Sequence, residues 1–328
     1  MARLLSCFKF TVWCLLLLST LITTAQSSIS NYKPYFATAK YNGAEIIILR
    51  KFEQGGKASY LYTNPATLIT GTVIAKEIHA AQTSLAQLTA LFKGAPYFRA
   101  LAASEAQSFT LQDAGLIHGY PKEQGITLTI DLCPSHKPLD RIIFTSLISA
   151  FAKTETHVPV ALSITGRFML THADDIQWLK NLEKQNKIDI TWINHTYNHH
   201  YNPKAPLPDN FLLEPGTDVD FEILGTEIAL LQHGLIPSVF FRFPGLVSDN
   251  AVVQKVTAYG LIPIGSDAWL AKGQQANSGS IVLIHGNGNE PVGVNDFIKL
   301  LQSEKEKVLN KEWLLYDLRE SVENEFKQ

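Results

Sequence analysis

Seven short apolar runs, each separated from the next by a helix-length segment, constrain this chain most. They are Ile126–Leu132, Pro159–Gly166, Asp189–His195, Val239–Gly245, Leu261–Ser266, Ser280–Gly286 and Trp313–Leu318. The runs are rich in Val, Ile and Leu, and most are apolar on both alternating sets of positions, as strands buried on both faces require. Amphipathic segments fill the gaps, among them Leu139–Lys153, His172–Gln185, Val219–Gly234 and Val294–Lys307. Such alternation predicts a parallel sheet covered by helices, and seven units in series favour a barrel over an open sheet.

The region before Ile126 has a different texture. Short β-type runs flank Asn42-Gly43, a strong hairpin dipeptide, and Gly55-Gly56 precedes another run. Ile78, Ala81, Leu85, Leu88 and Phe92 then recur at three- and four-residue steps, which predicts an amphipathic helix over 76–92. The expectation is a small β-meander with one packed helix, of open role.

Arg3 and Lys9 precede an apolar stretch, Val12–Ile22, and "TTA" stands before Gln26, so residues 1–25 read as a secretory signal. The stretch is too short for a lasting bilayer span. The division is then 1–25 signal, 26–118 N-terminal α+β region and 119–328 barrel, in a protein exported to the periplasm or the exterior, with no membrane span after cleavage. Cys7 and Cys14 fall in the signal, which leaves Cys133 alone and excludes an internal disulfide. A formal net charge of −2 gives no reason to expect a nucleic-acid partner.

In a β/α barrel, chemistry gathers at the C-terminal ends of the strands. Asp131, His195, Arg242, Asp267 and His285 stand at or just after five of the predicted strands. In "HTYNH", His195 and His199 are four residues apart, a spacing that brings two imidazoles to one cation if the segment makes a helical turn.

In order, "TIDLCP" (Thr129–Pro134), "HTYNH" (His195–His199), "RFPG" (Arg242–Gly245), "SDAW" (Ser266–Trp269) and "IVLIHG" (Ile281–Gly286) resemble the five motifs of the NodB-type polysaccharide deacetylases, carbohydrate esterase family 4. The resemblance spans about Ile126 to Leu318 and implies a distorted (β/α)7 barrel of NodB type, with the N-terminal extension outside it. It implies a divalent metal, Zn²⁺ first among candidates, on His195 and His199. Asp131 would be the general base, oriented by Arg242, and His285 the acid toward the leaving amine, its protonation fixed by Asp267. Trp269, Pro244 and Tyr197 would contact substrate. The implied reaction is removal of N-acetyl groups from an N-acetylated polysaccharide or oligosaccharide such as peptidoglycan, a chitin oligomer or a surface polysaccharide.

One departure stands out. Where the family has paired aspartates, this chain has Asp131-Leu132, and leucine cannot bind a cation. The third ligand is left among Asp131, Cys133 and Asp140, the last because relatives with D-L-C in this motif carry an Asp several residues later. Two imidazoles and water alone, or a site that binds sugar without hydrolysis, are the other outcomes. Hydrolysis of a different amide is a further reading, since fold does not fix substrate.

Overall fold

The computed structural model describes residues 28–107, 111–121 and 123–322. The signal expected in residues 1–25 lies outside them. The N-terminal part forms an antiparallel sheet of β1 (Ile29–Tyr41), β2 (Ala44–Gln54), β3 (Lys57–Thr63), β4 (Thr70–Ile74) and β5 (Ala81–Gln82), in the order β4-β3-β2-β1-β5. Asn42 and Gly43, like Gly55 and Gly56, have positive φ, as two-residue hairpin loops require. The helix expected over 76–92 is shorter: a 3-10 turn covers Ala75–Glu77, β5 follows, and the α-helix spans only Leu85–Leu91. Its start is set by Ser84 and Gln87, which form a capping box that the apolar spacing alone did not reveal. A further helix, Pro96–Glu105, was not anticipated.

The second sheet comprises β6 (Gly125–Leu132), β7 (Val158–Ile164), β8 (Ile188–Asn194), β9 (Phe240–Phe241), β10 (Ile262–Pro263), β11 (Ala268–Trp269), β12 (Ile281–His285) and β13 (Leu314–Leu315). Its order is β10-β9-β8-β7-β6-β12-β11, with β13 paired to the first residues of β6, and every pairing is parallel. Each of the seven apolar runs supplies a strand, and the whole is the expected distorted β/α barrel. Between β10 and β11 the chain leaves the β9 side and joins β12, so the barrel has a seam there. Residues before β6 fill it: Leu116 bridges to Ile264 and His118 to Ser280.

The N-terminal region shares the barrel's core. Ile47, Leu49, Tyr97, Phe98 and Leu101 cluster with Ile193, Val239, Phe240, Ile262 and Ile264. The Tyr97 hydroxyl donates to the Gly260 carbonyl at 2.6 Å, and Arg50 pairs with Glu227 at 2.8 Å in full burial. Among the described residues no helix is long and apolar enough to cross a membrane.

Candidate metal centre

Strand alternation decides what the first motif presents. Ile126, Leu128, Ile130 and Leu132 of β6 all enter the core under the helices, with Leu139, Ile143, Phe144 and Phe168 around them. Residues one position out of step therefore face the other way. That set includes Asp131 and, just past the strand, Cys133. Leu132 is fully buried on the helix side and does not occupy a ligand position at all. The next residue, Cys133, is the one that this alternation turns toward His195.

Cys133, His195 and His199 each bring one donor atom to a common point, all within 4.8 Å of one another. The Cys133 sulfur lies 3.5 Å from His195 Nε2. Two donors on one tetrahedral zinc, at the usual Zn–S and Zn–N lengths, would stand about 3.5 Å apart. His195 Nδ1 donates to the Arg242 carbonyl at 2.9 Å, which leaves the Nε2 lone pair turned toward the cysteine. His199 Nε2 is buried with no hydrogen-bond partner, a costly arrangement that a cation would relieve. A soft thiolate with two imidazoles is a zinc-type donor set, so the residues present fit the metal that the motifs imply.

Electrostatics favour the same reading. Burial pushes the Cys133 thiol up, but the neighbouring His199 and His285 outweigh it and hold the thiol well below its ordinary range. Burial alone would lower His195, yet Asp131 and Cys133 raise it. The same neighbours that lower the thiol, the imidazoles, are those whose neutral forms can share a cation with it.

The two histidines do not converge through a helical turn. Residues 195–200 are irregular, with Thr196 at φ 68° and His199 at φ 50°, both in the left-handed region. The two rings nevertheless meet, with centroids 4.7 Å apart, by a different backbone path. His200 points elsewhere and pairs with Glu214 on the surface.

Asp131 flanks the donor group: its Oδ2 lies 3.6 Å from His195 Nε2 and its Oδ1 3.4 Å from Arg242 Nη1. The fully buried Arg242 also donates from Nη2 to the Gly265 carbonyl at 2.9 Å, which fixes the guanidinium. On the other flank His285 ends β12 with Nδ1 2.8 Å from Glu290 Oε2, the oxygen that also accepts the Trp269 indole N–H at 2.8 Å. Burial would lower His285, but Cys133, Glu290 and Asp131 raise it well above the ordinary imidazole value. The Trp269 ring sits 5.7 Å from the His285 ring.

Three sequence-derived assignments change. Asp267 does not touch His285: its Oδ2 is 2.6 Å from His118 Nδ1 and its Oδ1 accepts the Ile281 N–H, four residues back along β12 and about 13 Å from the strand's end. Glu290 holds His285 instead. It lies in "HGNGNEP", and nothing in that loop's composition marks it. Asp140 is outside the donor group and caps the Gly288 N–H at 2.9 Å, tying the Cys133 loop to the His285 loop. Tyr197 packs on Phe221, with ring centroids 4.8 Å apart, and against Gly166, as a support beneath the loop rather than a wall of the cleft. Pro244 is buried in a 3-10 turn just after Arg242.

A cleft of about 770 Å³ opens from His199 and is lined by Pro134, His136, Arg167, Asn198, Tyr201 and Phe221 among others. The Pro-rich stretch 201–218 forms one bank, through Tyr201 and 214–218.

No family model matches the sequence. Among solved structures the chain is similar to a family 4 carbohydrate esterase from Bacillus anthracis, at 17% identity and a TM-score of 0.48, over 67% of this chain and 90% of that one. PdaA of Bacillus subtilis, a family 4 carbohydrate esterase, is similar at 18% identity and 0.45, over 66% and 94%. A family 4 pseudoenzyme from Bacillus anthracis is similar at 14% identity and 0.43, over 65% and 70%.

Proposed function

We propose that the chain is an exported metal-dependent hydrolase that removes N-acetyl groups from an N-acetylated glycan: peptidoglycan, a chitin oligomer or a surface polysaccharide. One observation carries the reading. Three side chains that could together hold a cation, Cys133, His195 and His199, stand between a carboxylate tied to arginine and an imidazole tied to carboxylate.

Cys133, His195 and His199 would hold the ion, zinc by donor chemistry. Bound there, it would act as a Lewis acid that makes water nucleophilic near neutral pH and polarises the acyl oxygen. Asp131 is placed to take the proton from the attacking water, with Arg242 fixing the carboxylate. Glu290 engages Nδ1 of His285 and so turns the Nε2 edge toward the Cys133 side of the site, from which it would give a proton to the departing nitrogen. Water adds to the acyl carbon, the C–N bond breaks, the nitrogen takes the His285 proton, and acetate and a free amine leave. The rings of Tyr201 and Phe221, both substantially exposed, with Arg167 and Asn198 give the cleft the mix of apolar faces and polar groups that suits a sugar.

The test pairs zinc content of the purified mature chain with acetate release from chitin oligomers and muropeptides. One zinc per chain with acetate release, abolished in Asp131→Asn, supports the proposal. Tight sugar binding without metal or turnover points to a glycan-binding protein on this scaffold. Metal without glycan turnover points to a different amide.

A further inference from the structure

Each ligand histidine follows an asparagine, Asn194 before His195 and Asn198 before His199, and both asparagines are tied to consecutive residues of one helix, Val219–Gln232. Asn194 donates from Nδ2 to the Ile223 carbonyl at 2.9 Å, while its Oδ1 accepts the Thr196 N–H at 3.0 Å. Glu222 accepts twice from Asn198: Oε2 from the backbone N–H at 2.8 Å and Oε1 from Nδ2 at 2.7 Å.

Glu222 stands in the first turn of its helix, where an acid also complements the helix dipole. That accounts for an acidic residue but not for its burial at 6% exposure, nor for the use of both oxygens on a neighbouring loop. The loop itself needs an outside hold. Two non-glycine residues in the left-handed region cost about 1–2 kcal/mol each, and such backbone persists only where surroundings over-determine it. His199 is one of the two, and Glu222 grips the residue before it.

We propose that Glu222 is a positioning residue for the cation site: its buried carboxylate fixes Asn198 and thereby aims the His199 ring. This rests on Cys133, His195 and His199 being the cation's donors. Partners of this kind, one step out from the ligands, change metal affinity about 10- to 100-fold when removed.

The experiment measures zinc affinity by chelator competition, and the absorption bands of the cobalt-loaded protein, for the full mature chain and three variants. Glu222→Ala should weaken zinc binding at least tenfold and alter the cobalt bands, and Glu222→Gln should weaken it less. In Glu222→Gln with Asn198→Asp, the amide and carboxylate exchange places and the hydrogen bonds can re-form. That double variant should return to within threefold of the parent affinity. Where Glu222→Ala does not fold, the near-isosteric Gln variant and the exchange decide. Zinc affinities within threefold of the parent in every folded single variant, with unchanged cobalt bands and only a lower melting temperature, would overturn the positioning role. Failure of the parent chain to take up zinc would instead remove the donor assignment, and this inference with it.

Discussion

Restoring an aspartate at position 132 is the substitution that motif comparison recommends and that the structure forbids. Leu132 is 0% exposed and packs with Leu139, Ile143, Phe144 and Phe168 on the helix side of β6. Removing a fully buried leucine costs about 2–5 kcal/mol. A carboxylic acid placed there must stay protonated, and holding an Asp neutral at pH 7, three units above its ordinary pKa, costs about 4 kcal/mol more. The sum, roughly 6–9 kcal/mol, is comparable to the 5–15 kcal/mol by which domains are stable. Leu132→Asp should therefore express as insoluble or partly unfolded protein, with no gain in zinc. Cys133→Asp, on the site face, should fold and keep one zinc at lower affinity. Denaturant midpoints and zinc per chain measure both. A Leu132→Asp protein with the parent's midpoint and tighter zinc binding would refute the alternation argument.

Asp131→Asn should keep its zinc while kcat for acetate release falls by about 10²–10⁴, as loss of a general base predicts; parent-like turnover would reassign the base. In Glu290→Gln, His285 loses one of the influences that raise it, so the alkaline limb of the pH–rate profile should move to lower pH. Asp267→Asn should leave that limb in place, because Asp267 pairs with His118. The reverse pattern would restore the motif-derived pairing. Far from the site, Glu183 is pushed up to about 7, chiefly by burial. A folded pKa above the unfolded one gives stability that is complete below about pH 4.5 and lost as pH rises through 7. The parent's melting temperature should fall over that range, and Glu183→Gln should flatten the fall; equal slopes would contradict it.

What could be read from the chain follows how local each determinant is. The seven barrel strands were legible because burial on both faces writes itself as continuous apolar runs. Asp131, His195, Arg242, Asp267 and His285 stood out as polar exceptions at strand ends and His199 by its spacing from His195, and the fold brings all of these but Asp267 around Cys133. The expected 76–92 helix failed because a side-chain cap at Ser84 overrides apolar spacing that begins earlier. The Leu132 puzzle looked like a lost ligand when aligned position by position, and it resolves once the two faces of β6 are separated. Glu290, Glu222 and His118 stayed hidden because each matters only through a partner brought near by the fold.

Zinc-edge X-ray absorption on the loaded protein tests the central claim most directly. One sulfur at about 2.3 Å with two imidazole nitrogens at about 2.0–2.1 Å is the predicted shell, with the sulfur vanishing in Cys133→Ser. A shell of nitrogen and oxygen alone in the parent protein, or no stoichiometric zinc, would contradict it.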